Sequence, residues 1–156
     1  MKMRTRARSL ALQALYEIDL ANHPLGSVLE ARLADYELDE KGADFASRLV
    51  RGIAPVRAEL DKFIAQHAPE WPIDQVSIID RNLLRIALWE FAVTGETPVK
   101  VAINEAVELA KRFGSDSAPR FVNGVLGSLA ERRSEIHQSF KKLAEIALAN
   151  QADQTE

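Results

Sequence analysis

The chain has 156 residues, 47% of them hydrophobic and 28% charged, with a net charge of −3 and no cysteine. A single domain of this length buries roughly 70% of the surface its unfolded form exposes and needs no staples. Disulfides, thiolate metal sites and thiol nucleophiles are excluded, and no apolar run approaches the ~20 residues of a membrane-spanning helix.

The first segment is basic. Residues 1–16 carry Lys2, Arg4, Arg6 and Arg8 and no acid, whereas residues 17–47 carry eight acids against Arg32 and Lys41. A basic arm on an acidic body points to a localised anionic partner. Ala7, Leu10, Ala11, Ala14, Leu15 and Ile18 form one helical stripe, with Ser9, Gln13 and Tyr16 on the other side. The stripe runs into Glu17 and Asp19 without a cleavage-like break, so a removable presequence is not expected and the compartment implied is the cytoplasm. The helix should end near Asn22, His23 and Pro24.

Ser27 can cap a short second helix from Val28 to about Ala34, with Glu30 in capping-box position. Asp39 opens a third helix, with Phe45, Leu49 and Ile53 four apart. A fourth runs from Val56 to about His67, and Pro69-Glu-Trp-Pro72 reads as a connector. From Ser77 to Val93 the chain is apolar on most of a helical circumference, which marks a central helix covered on several sides. Thr94-Gly-Glu-Thr-Pro98 ends it.

Two helices follow, about 98–113 and 118–133. Val99, Ile103, Ala106, Ala110 and Phe113 form the inward stripe of the first. Gly114 suits a left-handed C-terminal cap. Ser115, Asp116 and Ser117 are turn and cap residues, and Pro119 fits the next helix's first turn. Gly124 and Gly127 would let that helix approach a neighbour closely. Residues 134–149 are weakly amphipathic, and Asn150 to Glu156 should be disordered. The expected fold is all-α, about seven helices, with residues 1–133 as the domain and 134–156 as a C-terminal extension.

Lys100-Val-Ala-Ile-Asn-Glu-Ala-Val-Glu-Leu-Ala-Lys111, then Phe113-Gly114, then Phe121-Val-Asn-Gly-Val-Leu126 closely resemble the NusB family of bacterial antitermination factors. Arg8 with Ala11-Leu-Gln-Ala-Leu-Tyr16, and Arg81 with Leu84-Arg-Ile-Ala-Leu88 and Glu90, carry the same resemblance. It covers residues 1 to about 133. It implies two small helical subdomains and a non-catalytic RNA-binding adaptor without cofactors. The implied partners are boxA RNA and NusE, a small-subunit ribosomal protein, and through them the RNA polymerase antitermination complex that supports ribosomal RNA synthesis.

Candidate RNA contacts are Lys2, Arg4, Arg6 and Arg8 on the arm, and Ser117, Arg120 and Phe121 in and after the turn. Arginine forks match phosphate geometry. Positive charge at a helix N-terminus works against the dipole, which argues for an anionic partner over a solvated terminus. Tyr16 and Phe121 are stacking candidates, and core packing with Val125 and Leu129 is the competing role of Phe121. The resemblance assigns Asp80 and Arg81 toward NusE. Arg85 and Glu105 read better as internally paired.

Catalysis is not expected. Glu105 and Glu108 lack the Glu-x-x-His pattern of di-iron bundles. His23, His67 and His137 have no metal-ligand spacing, and no Gly-rich phosphate loop is present. The remaining alternatives are a helical interaction module that binds no RNA, a detached NusB-like domain of a ribosomal RNA methyltransferase system, and a homodimer that buries the RNA face.

Overall fold

The computed structural model describes residues 2–68 and 72–155, with backbone alone for the last three. Among the described residues it holds eight α-helices and no strand: α1 Met3–Ala21, α2 Leu25–Asp35, α3 Glu40–Ile53, α4 Arg57–Gln66, α5 Ile78–Leu88, α6 Val99–Phe113, α7 Ala118–Ala130 and α8 Arg133–Thr155. Pro69, Glu70 and Trp71 of the expected connector lie outside the described residues. No described helix is long and apolar enough to cross a membrane.

α1, α2 and α3 pack together, as do α4, α5, α6 and α7, and α1 lies on α5 between the two groups. One contiguous apolar cluster runs through both. The expected stripes are its substance: Ala7, Leu10, Ala11, Ala14 and Leu15 of α1 and Phe45, Leu49 and Ile53 of α3 are all buried. Asn82 through Leu88 of α5 are buried without interruption, so α5 is the covered central helix. Its polar members, Asn82 and Arg85, are buried with it.

The helix ends follow local chemistry. Asn22 takes the left-handed conformation, φ 53°, that stops α1, a conformation Asn tolerates well. Asp39 caps α3 by accepting from the Gly42 amide at 2.7 Å, and Ser77 caps α5 by accepting from the Asp80 amide at 3.1 Å. α2 begins earlier than expected. The Val28 amide already donates to the Pro24 carbonyl at 3.1 Å, so Ser27 sits inside the first turn and caps nothing. α5 passes into a π turn over Trp89–Val93, where the Thr94 amide donates to the Trp89 carbonyl at 3.0 Å.

Three expectations change in the last third of the chain. Gly114 is extended, with φ −94° and ψ −178°, not left-handed. It is needed for space: a Cβ there would meet Ala118 Cβ at 2.6 Å and the Ala110 carbonyl oxygen at 2.9 Å. Gly124 and Gly127 face open space instead of a neighbouring helix. The tail, expected to lose order from Asn150, stays helical to Thr155, in a stretch rich in alanine and free of Gly and Pro.

The first turns of α8 belong to the body. Ile136 and Phe140 are buried, and the Phe140 ring lies 6.0 Å from Phe63. His137 Nδ1 donates to the Ala92 and Val93 carbonyls at 2.9 and 3.1 Å. Those are end-of-helix carbonyls with no partner inside their own helix. From Lys141 through Ala152 every residue is exposed.

Candidate nucleic-acid interface

The arm is the first turn and a half of α1, capped by no side chain and carrying no acid. Lys2 and Arg4 are exposed and Arg6 is half-buried. Residues two apart on a helix point about 200° from one another, so Lys2 and Arg4 leave α1 on nearly opposite sides. Lys2 turns to α6 and lines a hollow with Thr5, Glu105, Glu108, Leu109, Lys111 and Arg112. Arg4 turns to α3 and holds its guanidinium 4.3 Å from the centre of the Phe45 ring, a cation–π contact.

Arg8 departs from the arm. It is 3% exposed. Its Nε donates to Glu90 Oε2 at 2.9 Å and its Nη2 to Glu90 Oε1 at 2.7 Å. Glu105 lies 3.6 Å from its Nη1, and the Phe45 ring covers it at 5.1 Å. Thr97 donates to the same Glu90 at 2.8 Å, and Thr5 donates to Glu105 at 2.9 Å. A guanidinium engaged this fully by two carboxylates has no fork left for a phosphate. Arg8 therefore fixes the angle of the arm and does not extend its charge.

The turn between α6 and α7 presents Ser115, Asp116 and Ser117 to solvent. The Ala118 amide donates to the Ser115 carbonyl at 3.1 Å, and the Ser115 and Ser117 hydroxyls are 3.3 Å apart. Ser117 sits at the N-cap position but its side chain makes no capping bond. Arg120 is exposed on the first turn of α7. Phe121 is partly buried against the core, so it packs there as one of its two expected roles requires, and part of the side chain stays open. Tyr16 is half-buried on α1.

The arm and the turn are linked through the end of α6. Lys111 and Arg112 form its last turn, share the hollow with Lys2, and are followed directly by Phe113, Gly114 and the exposed serines. Their basic character also suits the negative end of the α6 dipole. In the sequence both are only charges near the end of α6; the hollow they share with Lys2 is what sets them beside the arm.

Asp80 lies against this same turn. Its Oδ1 would be 3.2 Å from a Cβ on Gly114, and that oxygen is buried without a hydrogen-bond partner. Burial raises the Asp80 carboxyl above its ordinary value, and the Ser77 hydrogen bond offsets this in part. Arg81 donates from Nη2 to the Val76 carbonyl at 3.0 Å. Of the two residues expected toward a protein partner, Asp80 thus lies at the floor of the turn, while Arg81 is tied to the segment before α5.

Arg85 is internally paired, as expected, but with other acids. It donates to Asp61 at 2.7 and 2.8 Å and to Asp19 at 2.6 Å. Asp19 also accepts from Asn82 at 3.0 Å and from Arg57. Burial works to raise the Asp19 carboxyl, but the Asn82 hydrogen bond, the Arg85 charge and Arg57 outweigh it and hold the carboxyl below its ordinary value. The network ties α1, α4 and α5 together behind the basic surface. Among the described residues no three His, Asp or Glu side chains are grouped to hold a metal ion.

Comparison with known proteins points to one family. The profile of the NusB family matches residues 5–131. The transcription antitermination protein NusB of Chloroflexus aggregans is 48% identical over 131 residues, 83% of this chain and 87% of that one. That of Bacillus subtilis is 43% identical over 140 residues, 89% of this chain and 100% of its own. The solved structure of T. maritima NusB superposes with a TM-score of 0.76 at 33% identity, covering 82% of this chain and 90% of that one. A solved complex of the antitermination factors NusB and NusE with double-stranded RNA gives a TM-score of 0.75 at 25% identity, covering 89% and 98%.

Proposed function

The chain belongs to the NusB family, and from that premise we propose that it is a transcription antitermination protein, an adaptor and not an enzyme, that holds RNA together with NusE. The finer reading is that the RNA is a boxA-type single strand and that the complex supports ribosomal RNA transcription in the cytoplasm. The relatives carry the antitermination name, and a structural neighbour holds NusE and RNA.

One observation carries the RNA reading on this chain: Lys2 shares a hollow with Lys111 and Arg112 immediately before the exposed turn, where Glu105 is turned to Thr5 and Arg8 and Glu108 makes an exposed pair with Lys111 at 3.0 Å. The contact surface proposed is Lys2, Arg4, Arg6, Lys111, Arg112, Ser117, Arg120 and the open part of Phe121, with Tyr16 as a second stacking candidate. Its mechanism is electrostatic and geometric. Lysine and arginine bind phosphates and release counterions, aromatic faces stack bases, and the Arg8–Glu90 anchor keeps the arm in register with the turn. Asp80 and Arg81 are proposed toward NusE.

The test is a titration of boxA RNA at two salt concentrations, with and without NusE. Replacing Lys2, Arg4 and Arg6 by alanine should weaken binding. Each lost phosphate contact should flatten the log–log salt slope by about 0.7. Unchanged affinity and slope in that variant would remove the arm from the site. Capture of NusE without any dependence on RNA would favour a protein-interaction module instead.

A further inference from the structure

Arg4 opens a second path. Two open hollows adjoin along the outer side of α3 and share Arg48 and Asp44. The first runs from Arg4 past Lys41, and the second from Arg51 to Trp89. Lys41 and Arg51 are exposed. Arg48 is divided between Asp44 and Glu96, each at 3.2 Å and each largely exposed, and such surface pairs exchange readily for another anion.

Trp89 is built into the end of this path. A Cβ on Gly52 would lie 2.3 Å from the indole Cζ2 and 2.7 Å from Cε2, so only glycine lets the ring rest on α3. The ring is half-buried and lines the second hollow. It opens the π turn Trp89–Val93, an irregularity often found at functional sites. Its neighbour Glu90 points inward to Arg8, while Trp89 points to the surface. The cations of this path alternate with Glu40, Asp44 and Glu96, and a held aromatic ring beside such cations can stack a base without reading sequence while they meet the phosphates. The rim is charged and open, unlike the apolar centre of a protein interface.

We propose that a single-stranded RNA held by the arm continues past Arg4 onto α3, its phosphates following Lys41, Arg48 and Arg51 and one base stacking on Trp89. This rests on the RNA-binding reading above and extends it to a face that the arm and turn do not include. It follows from the divergence of Lys2 and Arg4 around α1: one strand that crosses the arm meets both sides.

The experiment uses the full chain with Trp71→Phe, which leaves Trp89 as the only tryptophan of the two in the sequence. A short RNA that spans arm and turn is compared with RNAs extended stepwise at either end, following indole emission and affinity. The longer RNAs should quench Trp89 and the short one should not. Arg51→Glu should weaken the longer RNAs about 5-fold or more relative to the short one, the size of one lost stack or phosphate contact. Trp89→Phe, which keeps a ring on Gly52, should retain part of that length-dependent gain.

Longer RNA that binds with unchanged emission, and with equal loss across lengths for Arg51→Glu, overturns the extension while leaving the arm in place. Failure of the lysine and arginine alanine variant of the arm to weaken either RNA overturns the reading beneath it. Purified NusE that shifts Trp89 emission in the absence of RNA also overturns the proposal, because it gives this surface to a protein.

Discussion

The guanidinium of Arg8 forks onto the carboxylate of Glu90 inside the protein, at 2.9 and 2.7 Å, across 82 residues of sequence. Both side chains are almost fully covered, at 4% and 2% exposure. The pair joins the base of the arm to the end of the central helix, and the Thr97 hydroxyl closes the remaining side of Glu90.

Arg8→Ala should therefore act on stability. Removing one partner of a buried pair leaves the other charge uncompensated, which typically costs about 3–5 kcal/mol. Urea unfolding should show a loss of that order, and Glu90→Gln in the Arg8→Ala background should recover part of it. RNA affinity per folded molecule should change far less than for Lys2, Arg4 and Arg6 together. A variant of full stability that loses RNA would return Arg8 to the binding surface.

Asp19 sets an acid limit. Its folded carboxyl is held below the ordinary 3.8 by Asn82, Arg85 and Arg57, against the opposing effect of burial. A depressed carboxyl contributes stability that is complete above the unfolded value and is lost as pH falls through the folded one. The Asp19 contribution should thus persist to pH values near 3.8 and disappear below. Asp19→Asn should lower stability at neutral pH and flatten the stability curve in that acid window, measured by thermal unfolding across pH.

Asp80 works with the opposite sign. Burial raises its carboxyl above 3.8, so the folded state holds that proton more tightly than the unfolded chain does. Stability falls as pH rises from 3.8 through the folded value and stays lower above it. Asp80→Asn should remove that loss, keeping neutral-pH stability equal or higher. The NusE reading is tested by the same variant in a pull-down, where weakened capture of NusE is expected. A clear drop in melting temperature at pH 7 would contradict the sign.

These residues also show what was legible before the fold. The apolar stripes of α1, α3 and α5, and the caps at Asp39 and Ser77, depend on neighbours within a few positions, so periodicity and side-chain chemistry reveal them. Arg8 alternates with Arg4 and Arg6 and looks like part of the arm, because its partner is 82 residues away. Lys111 and Arg112 look like ordinary charges at a helix end until the hollow they share with Lys2 sets them beside the arm. Gly114 matters for space and not for a left-handed cap. A left-handed cap is a local property, whereas its actual constraint is the approach of Ala118 and Asp80.

The glycines give a paired prediction. Gly114→Ala should destabilise by about 1–3 kcal/mol, the usual cost of forcing an extra carbon into packed surroundings, because its nearest neighbours include the backbone oxygen of Ala110. Gly124→Ala and Gly127→Ala place a methyl in open space on a helix and should stabilise by about 0.5–1 kcal/mol each. Denaturant midpoints measure all three. If Gly124→Ala or Gly127→Ala is stabilised but loses NusE or RNA, the open face of α7 is a contact surface.

The C-terminal helix divides at Phe140. Up to that residue α8 contributes Ile136 and Phe140 to the core, and His137 to the carbonyls that end the π turn. Beyond it, Leu143, Ile146 and Leu148 stand 41–66% exposed, and the family profile has already ended at residue 131. Truncation after Lys142 should leave the melting temperature nearly unchanged, since every described side chain it removes, from Leu143 to Ala152, is exposed. Truncation after Arg133 should cost several kcal/mol, because burying a large side chain such as Ile136 or Phe140 is worth about 1.5–3 kcal/mol each and two carbonyls lose their donor. If the shorter truncation is instead strongly destabilised and the parent's melting temperature rises with protein concentration, the exposed half of α8 is held by a second copy of the chain.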